Sequence, residues 1–387
     1  MKSIGILGST GSIGTQALEI IKNNNQNFSI DYLYSNSNYQ LLYQQILDFS
    51  PSYVCINNKE SYEKLSELVT TNSETKIIFG SDNAIDFISS RSVDLVLNAI
   101  VGFEGLKPTI AILNNNIDIA LSNKESLVLA GEIVMNKARE NNINIFPVDS
   151  EHSAIWQCLR GEEKDDINKI ILTASGGPFR ELEHENFSNI TVKDALNHPN
   201  WKMGNKITID SATMMNKGFE VIETRWLFGL EGERIDVLVH PQSIIHSMVE
   251  FNDKSIKAQI GNPDMRIPIN YALNYPNHSS LNMPSLDFSD IGKLTFEKPD
   301  LIKFKCIDLA YKALDSGGTS TAVLNIANDI AVNLFLSNKI KFIDIPVIIE
   351  KTIEKHEYLS SPTLDDIYNL MSWTNEYIIK EVSHAHN

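Results

Sequence analysis

The chain has 387 residues, 42% hydrophobic and 21% charged, with 33 Lys and Arg against 49 Asp and Glu for a net charge of -16. That length exceeds what one core holds, so two or three domains are expected, and an acidic balance without a Lys/Arg cluster argues against nucleic acid or an anionic membrane as partner. No window approaches the roughly 20 apolar residues of a spanning helix, the opening "MKSIGILGSTG" is expected to lack a secretory signal, and Cys55, Cys158 and Cys306, without paired spacing, suit a reducing cytoplasm rather than a disulfide framework.

Through residue 148 short apolar runs alternate with amphipathic segments. Strands are expected at about 3 to 7, 28 to 34, 53 to 57, 76 to 79, 94 to 100, 117 to 122 and 143 to 148. Helices fill the intervals, as in "NYQLLYQQILDF" with Leu42, Ile46 and Phe49 on one face. Strict alternation predicts a mostly parallel, Rossmann-like, doubly wound α/β domain over residues 1 to 150. From 151 to 285 a second α/β domain is expected, with strands in "INKIILTAS", "RIDVLVHP" and "IIHSMVEF". "PNHSSLNMPSLDF" has linker composition, and the linker proper is set at 286 to 302. From 303 to 387 the pattern is that of a C-terminal α-helical bundle, with Thr363 and Asp366 capping its last helix.

"ILGSTGSIGTQALEI" sets Gly8, Gly11 and Gly14 after the first strand and at the start of a helix. Glycines there let the backbone approach a pyrophosphate, which the helix N-terminus favours. The spacing is G-x-x-G-x-x-G, and a tight strand-to-helix turn would use the same residues, so the strand context carries the dinucleotide reading. The second strand ends in "YSNSN" without an acid, which tilts the choice toward NADPH; Asn36, Ser37 and Asn38 could donate hydrogen bonds to its 2′-phosphate, although turns favour the same residues.

Ligands bind outside the carboxyl ends of parallel strands, and "AIVG", "NKES" and "DSEH" join the glycine loop at that edge. Lys124 is a candidate to meet an anionic or carbonyl oxygen. An extended backbone through "DSE" would point Asp149 and Glu151 to one side. In "DSATMMNKGFEVIETRW", helical from about Met214, Asn216 and Glu220 share a face, with Lys217 beside them. Three carboxylates, Asp149, Glu151 and Glu220, with no cysteine nearby suit Mg²⁺ or Mn²⁺ better than zinc; a solvated Glu220 in a surface ion pair is the even alternative. "TASGGPF" with Ser211, Asn216 and Lys217 supplies the donors of a phosphate seat. "NHPNWKMGNK", 197 to 206, reads as a lid carrying Trp201 and Met203, or as interface packing. His152, His240 and His246 read as structural.

In order and spacing, "GSTGSIG", "NKES", "PVDSEH", "SGGPF", "HPNWKMG", "DSATMMNKG" and "HPQSIIHSM" resemble the 1-deoxy-D-xylulose 5-phosphate reductoisomerase family over nearly the whole chain. The resemblance implies an NADPH- and metal-dependent homodimeric enzyme that rearranges and reduces this sugar phosphate to 2-C-methyl-D-erythrose 4-phosphate in isoprenoid biosynthesis. It implies metal binding by Asp149, Glu151 and Glu220, and substrate contacts at Lys124, Ser150 and Glu151. Ser175, His198, Ser211, Asn216 and Lys217 match the family's phosphate and substrate-backbone contacts. Thr10, Gly11, Ser12, Ile13, Asn123, Glu125 and Gly204 match cofactor contacts, and Trp201 and Met203 the lid over the inhibitor fosmidomycin. The chain departs from the family at Asn36-Ser37, where many members carry Gly-Lys or Gly-Arg. The competing readings are a sugar-phosphate dehydrogenase without isomerisation, which need not use the metal triad, and a noncatalytic NADPH sensor.

Overall fold

The computed structural model describes residues 1–24, 26–69, 74–197 and 204–385. Elements in chain order are β1 (Lys2–Leu7), α1 (Ser12–Asn23), β2 (Phe28–Ser35), α2 (Tyr39–Phe49), β3 (Tyr53–Ile56), α3 (Lys59–Leu68), β4 (Lys76–Phe79), α4 (Ser81–Ser90), β5 (Leu95–Asn98), α5 (Leu106–Asn114), β6 (Asp118–Leu121), α6 (Glu125–Glu140), β7 (Ile145–Pro147) and α7 (Ser150–Cys158). They continue as β8 (Ile167–Ala174), α8 (Val192–Ala195), α9 (Asn205–Ala212), α10 (Met215–Phe228), β9 (Ile235–Val239), β10 (Ile245–Phe251), β11 (Ile256–Ile260), α11 (Arg266–Asn274), α12 (Phe288–Ile291), α13 (Lys305–Ser316), α14 (Ser320–Leu336), α15 (Asp344–Lys355) and α16 (Leu364–Ala385). The chain forms two compact units, one of Met1–Ser126, Val134–Ser153 and Asp264–Met283, the other of the remaining segments.

The first unit is built on a seven-stranded sheet of order β4-β3-β2-β1-β5-β6-β7, and every pairing in it is parallel. Ile4, Ile6, Leu33, Val54, Leu95 and Leu97 are fully buried, as expected where helices cover both faces of a sheet and the strands become continuous apolar runs. All seven strands fall where the sequence predicts them, within the boundary error such reading carries. After β4 the chain returns to pair β5 with β1, so the order reverses between these strands and opens a crevice outside their carboxyl ends.

In the second unit a mixed four-stranded sheet of order β11-β10-β8-β9 pairs β8 with β9 in parallel and β10 antiparallel to both β8 and β11. β11 is an edge strand not expected from the sequence: its five residues, IKAQI, do alternate apolar and polar, but the run is short and exposed along most of its length. The main core joins Met215, Phe219 and Ile222 of α10 to Ile307 and Ala310 of α13 and to Leu324 and Ala327 of α14. The predicted cap of α16 is present, with the Thr363 N–H and hydroxyl donating to Asp366 Oδ2 at 2.8 and 2.6 Å.

Candidate active site

At the switch point of the first unit, the Gly8 and Ser9 N–H groups donate to the Tyr34 carbonyl at 2.9 and 3.0 Å. Gly8 has φ +79, and a Cβ there would stand 2.6 Å from the Ala99 carbonyl oxygen; one on Gly14 would stand 2.3 Å from the Gly8 carbonyl oxygen. The helix therefore approaches its own entry loop closer than any side chain allows. Gly11 is the N-cap of α1 and supplies no side-chain cap, which leaves the first-turn N–H groups around Ser12 and Ile13 for an anion. Thr10 Oγ1 lies 2.8 Å from Ser35 Oγ, joining the glycine loop to the end of β2. Asn38 caps α2 through Leu41 N–H at 3.2 Å.

The loops after β5 and β6 are tied together by Asn123, whose buried amide donates to the Ile100 and Gly102 carbonyls and to Glu125 Oε2 at 2.8, 2.9 and 2.9 Å. The next residue, Lys124, places its ammonium 2.5 Å from Asp149 Oδ2, with side-chain exposures of 9% and 12%. Burial alone would raise the Asp149 carboxyl, but the Lys124 ammonium and the His152 ring outweigh it and hold the group well below the usual carboxylate range. Asp149 is therefore an anion at neutral pH.

The expectation of an extended "DSE" is corrected here. Asp149 precedes α7, its carbonyl accepts from Ser153 N–H at 2.8 Å, and Ser150 and Glu151 belong to the first turn. An Asp before a helix and a Glu in its first turn both complement the unpaired N–H groups and the dipole, so the period-two argument does not apply. Ser150 Oγ donates to Glu151 Oε2 at 2.6 Å. His152, read as purely structural, is fully buried with Nδ1 3.7 Å from Asp149; its i, i+3 spacing would have shown this had the segment been read as helical.

In the second unit the Ser175-Gly176-Gly177 turn uses two left-handed glycines, φ +87 and +67, and a Cβ on Gly177 would meet the Ser211 carbonyl oxygen at 2.6 Å. The turn thus lies directly against the end of α9. Between Ser211 and Asn216 the chain reverses through Met214, a buried side chain at φ 62. A left-handed non-glycine residue is a local strain, here at the step from one set of phosphate-type donors to the next. On α10, Asn216 Nδ2 donates to Glu220 Oε1 at 2.5 Å, and the Lys217 ammonium pairs with Glu220 Oε2. Lys217 is 4% exposed and Glu220 1%, so Glu220 is not a solvated surface residue. Glu223, one turn on and also buried, was missed; its i, i+3 spacing from Glu220 was the available signal.

His198, Trp201 and Met203 lie outside the described residues. Gly204 is the exposed N-cap of α9. His240 is fully buried and structural, with Nδ1 2.9 Å from the Thr295 carbonyl oxygen and its ring stacked on Phe296.

Each unit thus presents buried carboxylates matched to lysines, and the second adds hydroxyls, an amide and an ammonium. Sequence profiles of 1-deoxy-D-xylulose 5-phosphate reductoisomerase match residues 4–131, those of its C-terminal domain residues 145–228, and a further DXP reductoisomerase C-terminal domain residues 260–377. The chain belongs to the 1-deoxy-D-xylulose 5-phosphate reductoisomerase family. It is 53% identical over 382 residues to the reductoisomerase of Thermoanaerobacter sp. (strain X514), covering 98% of this chain and 99% of that one. To the Chloroherpeton thalassium enzyme it is 50% identical, with 100% of both chains covered. A solved DOX-P reductoisomerase in complex with NADPH, fosmidomycin and magnesium is similar at TM-score 0.95 and 38% identity over 100% of both chains. The Zymomonas mobilis reductoisomerase in complex with NADPH gives 0.92 and 39%, over 98% of this chain and 99% of that one. The likeness therefore spans both units of the reductoisomerase chain, not the glycine loop alone.

Proposed function

We propose that this chain converts 1-deoxy-D-xylulose 5-phosphate to 2-C-methyl-D-erythrose 4-phosphate, using NADPH and a divalent cation, as a step of isoprenoid biosynthesis. The observation that carries the reading is the hard-donor chemistry of Asp149, Glu151 and Glu220 in a chain that matches reductoisomerases over its full length. Three carboxylates without sulfur suit Mg²⁺ or Mn²⁺. The glycine loop fits a dinucleotide, because Gly8 and Gly14 admit no Cβ and the α1 N-terminus is uncapped by side chains.

In this proposal residues 1–150 bind the cofactor, 151–285 carry catalysis, 286–302 link and 303–387 form the helical domain. Thr10, Gly11, Ser12, Ile13 and Gly204 receive the cofactor, while Asn123 and Glu125 hold the loops beside it. The bound cation supplies Lewis acidity for the oxyanion that develops during rearrangement. Lys124 and Ser150 orient the substrate's oxygens, and Lys124 keeps Asp149 ionised. Ser175, Ser211, Asn216 and Lys217 hold the phosphate, away from the reacting carbons, so that binding energy at that end positions the rest of the molecule.

Among the described residues no helix is long and apolar enough to cross a membrane. The cytoplasm is the proposed location, which suits three unpaired, buried cysteines. A homodimer is proposed as the working form; edge strand β11, with Ile256 51% and Ile260 40% exposed, is the kind of surface that association covers. Analytical ultracentrifugation tests that state. The decisive assay for function is NADPH oxidation with 1-deoxy-D-xylulose 5-phosphate: it should require Mn²⁺ or Mg²⁺ and stop with EDTA. Activity indifferent to the chelator would overturn the metal-dependent rearrangement.

A further inference from the structure

The first unit ties the start of α3, which carries the exposed Lys59, to the segment that follows β2. Ser35 ends β2, and its hydroxyl meets Thr10 of the glycine loop at 2.8 Å. The residues just beyond, Asn36 and Ser37, therefore stand where the ribose 2′ position of a bound dinucleotide is read. Neither is charged, and Asn38 is committed to capping α2.

The turn between β3 and α3 is lashed to this stretch. The Asn57 and Asn58 N–H groups donate to the Asn36 carbonyl at 3.1 and 2.8 Å, Asn57 Nδ2 donates to Asn36 Oδ1 at 3.2 Å, and Ser61 Oγ donates to the Ser37 carbonyl at 2.8 Å. Lys59, the first residue of α3, lies between these anchors. Its side chain is exposed, and among the described residues it makes no ion pair and no hydrogen bond. The adjacent carboxylate does not neutralise it, because Glu60 pairs with Lys64 at 2.6 Å. In a chain of net charge -16, Lys59 is, among the described residues, a lysine without an ion pair whose backbone is anchored next to the ribose-reading loop.

We propose that Lys59 is the specificity residue for the 2′-phosphate of NADPH, supplying from the start of α3 the positive charge that Asn36 and Ser37 lack; the proposal rests on the NADPH reading given above. The division of labour is physical. Ser37 and Asn36 can donate hydrogen bonds to a hydroxyl or a phosphate alike, whereas an ammonium on a flexible four-carbon stem gains chiefly from the dianion.

Equilibrium binding of NADPH, NADH and adenosine 2′-monophosphate to the full-length protein, without substrate or metal, tests this independently of turnover. Lys59→Ala should weaken NADPH and adenosine 2′-monophosphate about tenfold or more, the range of one charged hydrogen bond, and leave NADH within about twofold of the parent, the loss of phosphate charge being the difference read. Lys59→Arg should restore the preference, Lys59→Glu should reverse more of it, and rising salt should shrink the parent's preference. Unchanged NADPH affinity in Lys59→Ala, or equal weakening of NADPH and NADH, overturns the role of Lys59 while leaving the cofactor reading intact. A parent protein that binds NADPH no better than NADH overturns the NADPH assignment and this role together.

Discussion

Lys124 Nζ stands 2.5 Å from Asp149 Oδ2 with both side chains largely withdrawn from water. Removing one partner of such a pair strands the other charge, which costs about 3–5 kcal/mol. Lys124→Ala should therefore lower thermal stability in metal-free protein. Added Mg²⁺ should raise Tm by more in this variant than in the parent, because a cation at Asp149 replaces the missing ammonium and ligand binding stabilises by mass action. Equal Mg²⁺ increments in both proteins would separate Asp149 from the metal.

Glu220→Gln keeps the shape of a buried side chain that bonds Asn216 and Lys217 but removes its negative charge. Turnover should fall more than about 100-fold, since even groups behind a metal ligand contribute 10- to 100-fold, while circular dichroism stays that of the parent. Full activity at saturating Mg²⁺ would remove Glu220 from the metal site.

The parallel sheet was legible because buried parallel strands are apolar runs with polar loops at one edge, as in β3 and β5, while the part-buried edge strand β4 still carries Ile77 and Ile78 between its turns. The Thr363–Asp366 cap was legible because its residues are three apart. What sequence could not give was the pairing of Lys124 with Asp149 across 25 positions of chain, read from their numbers, or the lashing of Asn57 to Asn36 that brings Lys59 into play. The local error at Asp149 had a specific cause: the expectation continues β7 through the segment as extended chain, whereas the closure of Ser153 N–H on the Asp149 carbonyl makes it the start of α7.

Lys217→Ala removes an ammonium from the donor set that also includes Ser211 and Asn216. A charged hydrogen bond lost to a phosphate should raise KM for the sugar phosphate about tenfold or more with a smaller effect on kcat. An unchanged KM would place the phosphate elsewhere.

Gly14→Ala tests the cofactor loop by volume instead of charge. The added Cβ would fall 2.3 Å from the Gly8 carbonyl oxygen and 2.5 Å from Ser9 Cα, and backbone atoms cannot rotate away as a flexible side chain can. Either α1 or the loop must shift, and Gly8 is itself held 2.9 Å from the Tyr34 carbonyl through its N–H, so the shift falls on the relation between the loop and the helix N-terminus that would receive the pyrophosphate. Because NADPH and NADH share that pyrophosphate, both should weaken together, in contrast to Lys59→Ala. Parallel titrations of the two nucleotides against the two variants separate them: loss of NADPH binding alone in Gly14→Ala would show that the glycine loop does not carry the pyrophosphate.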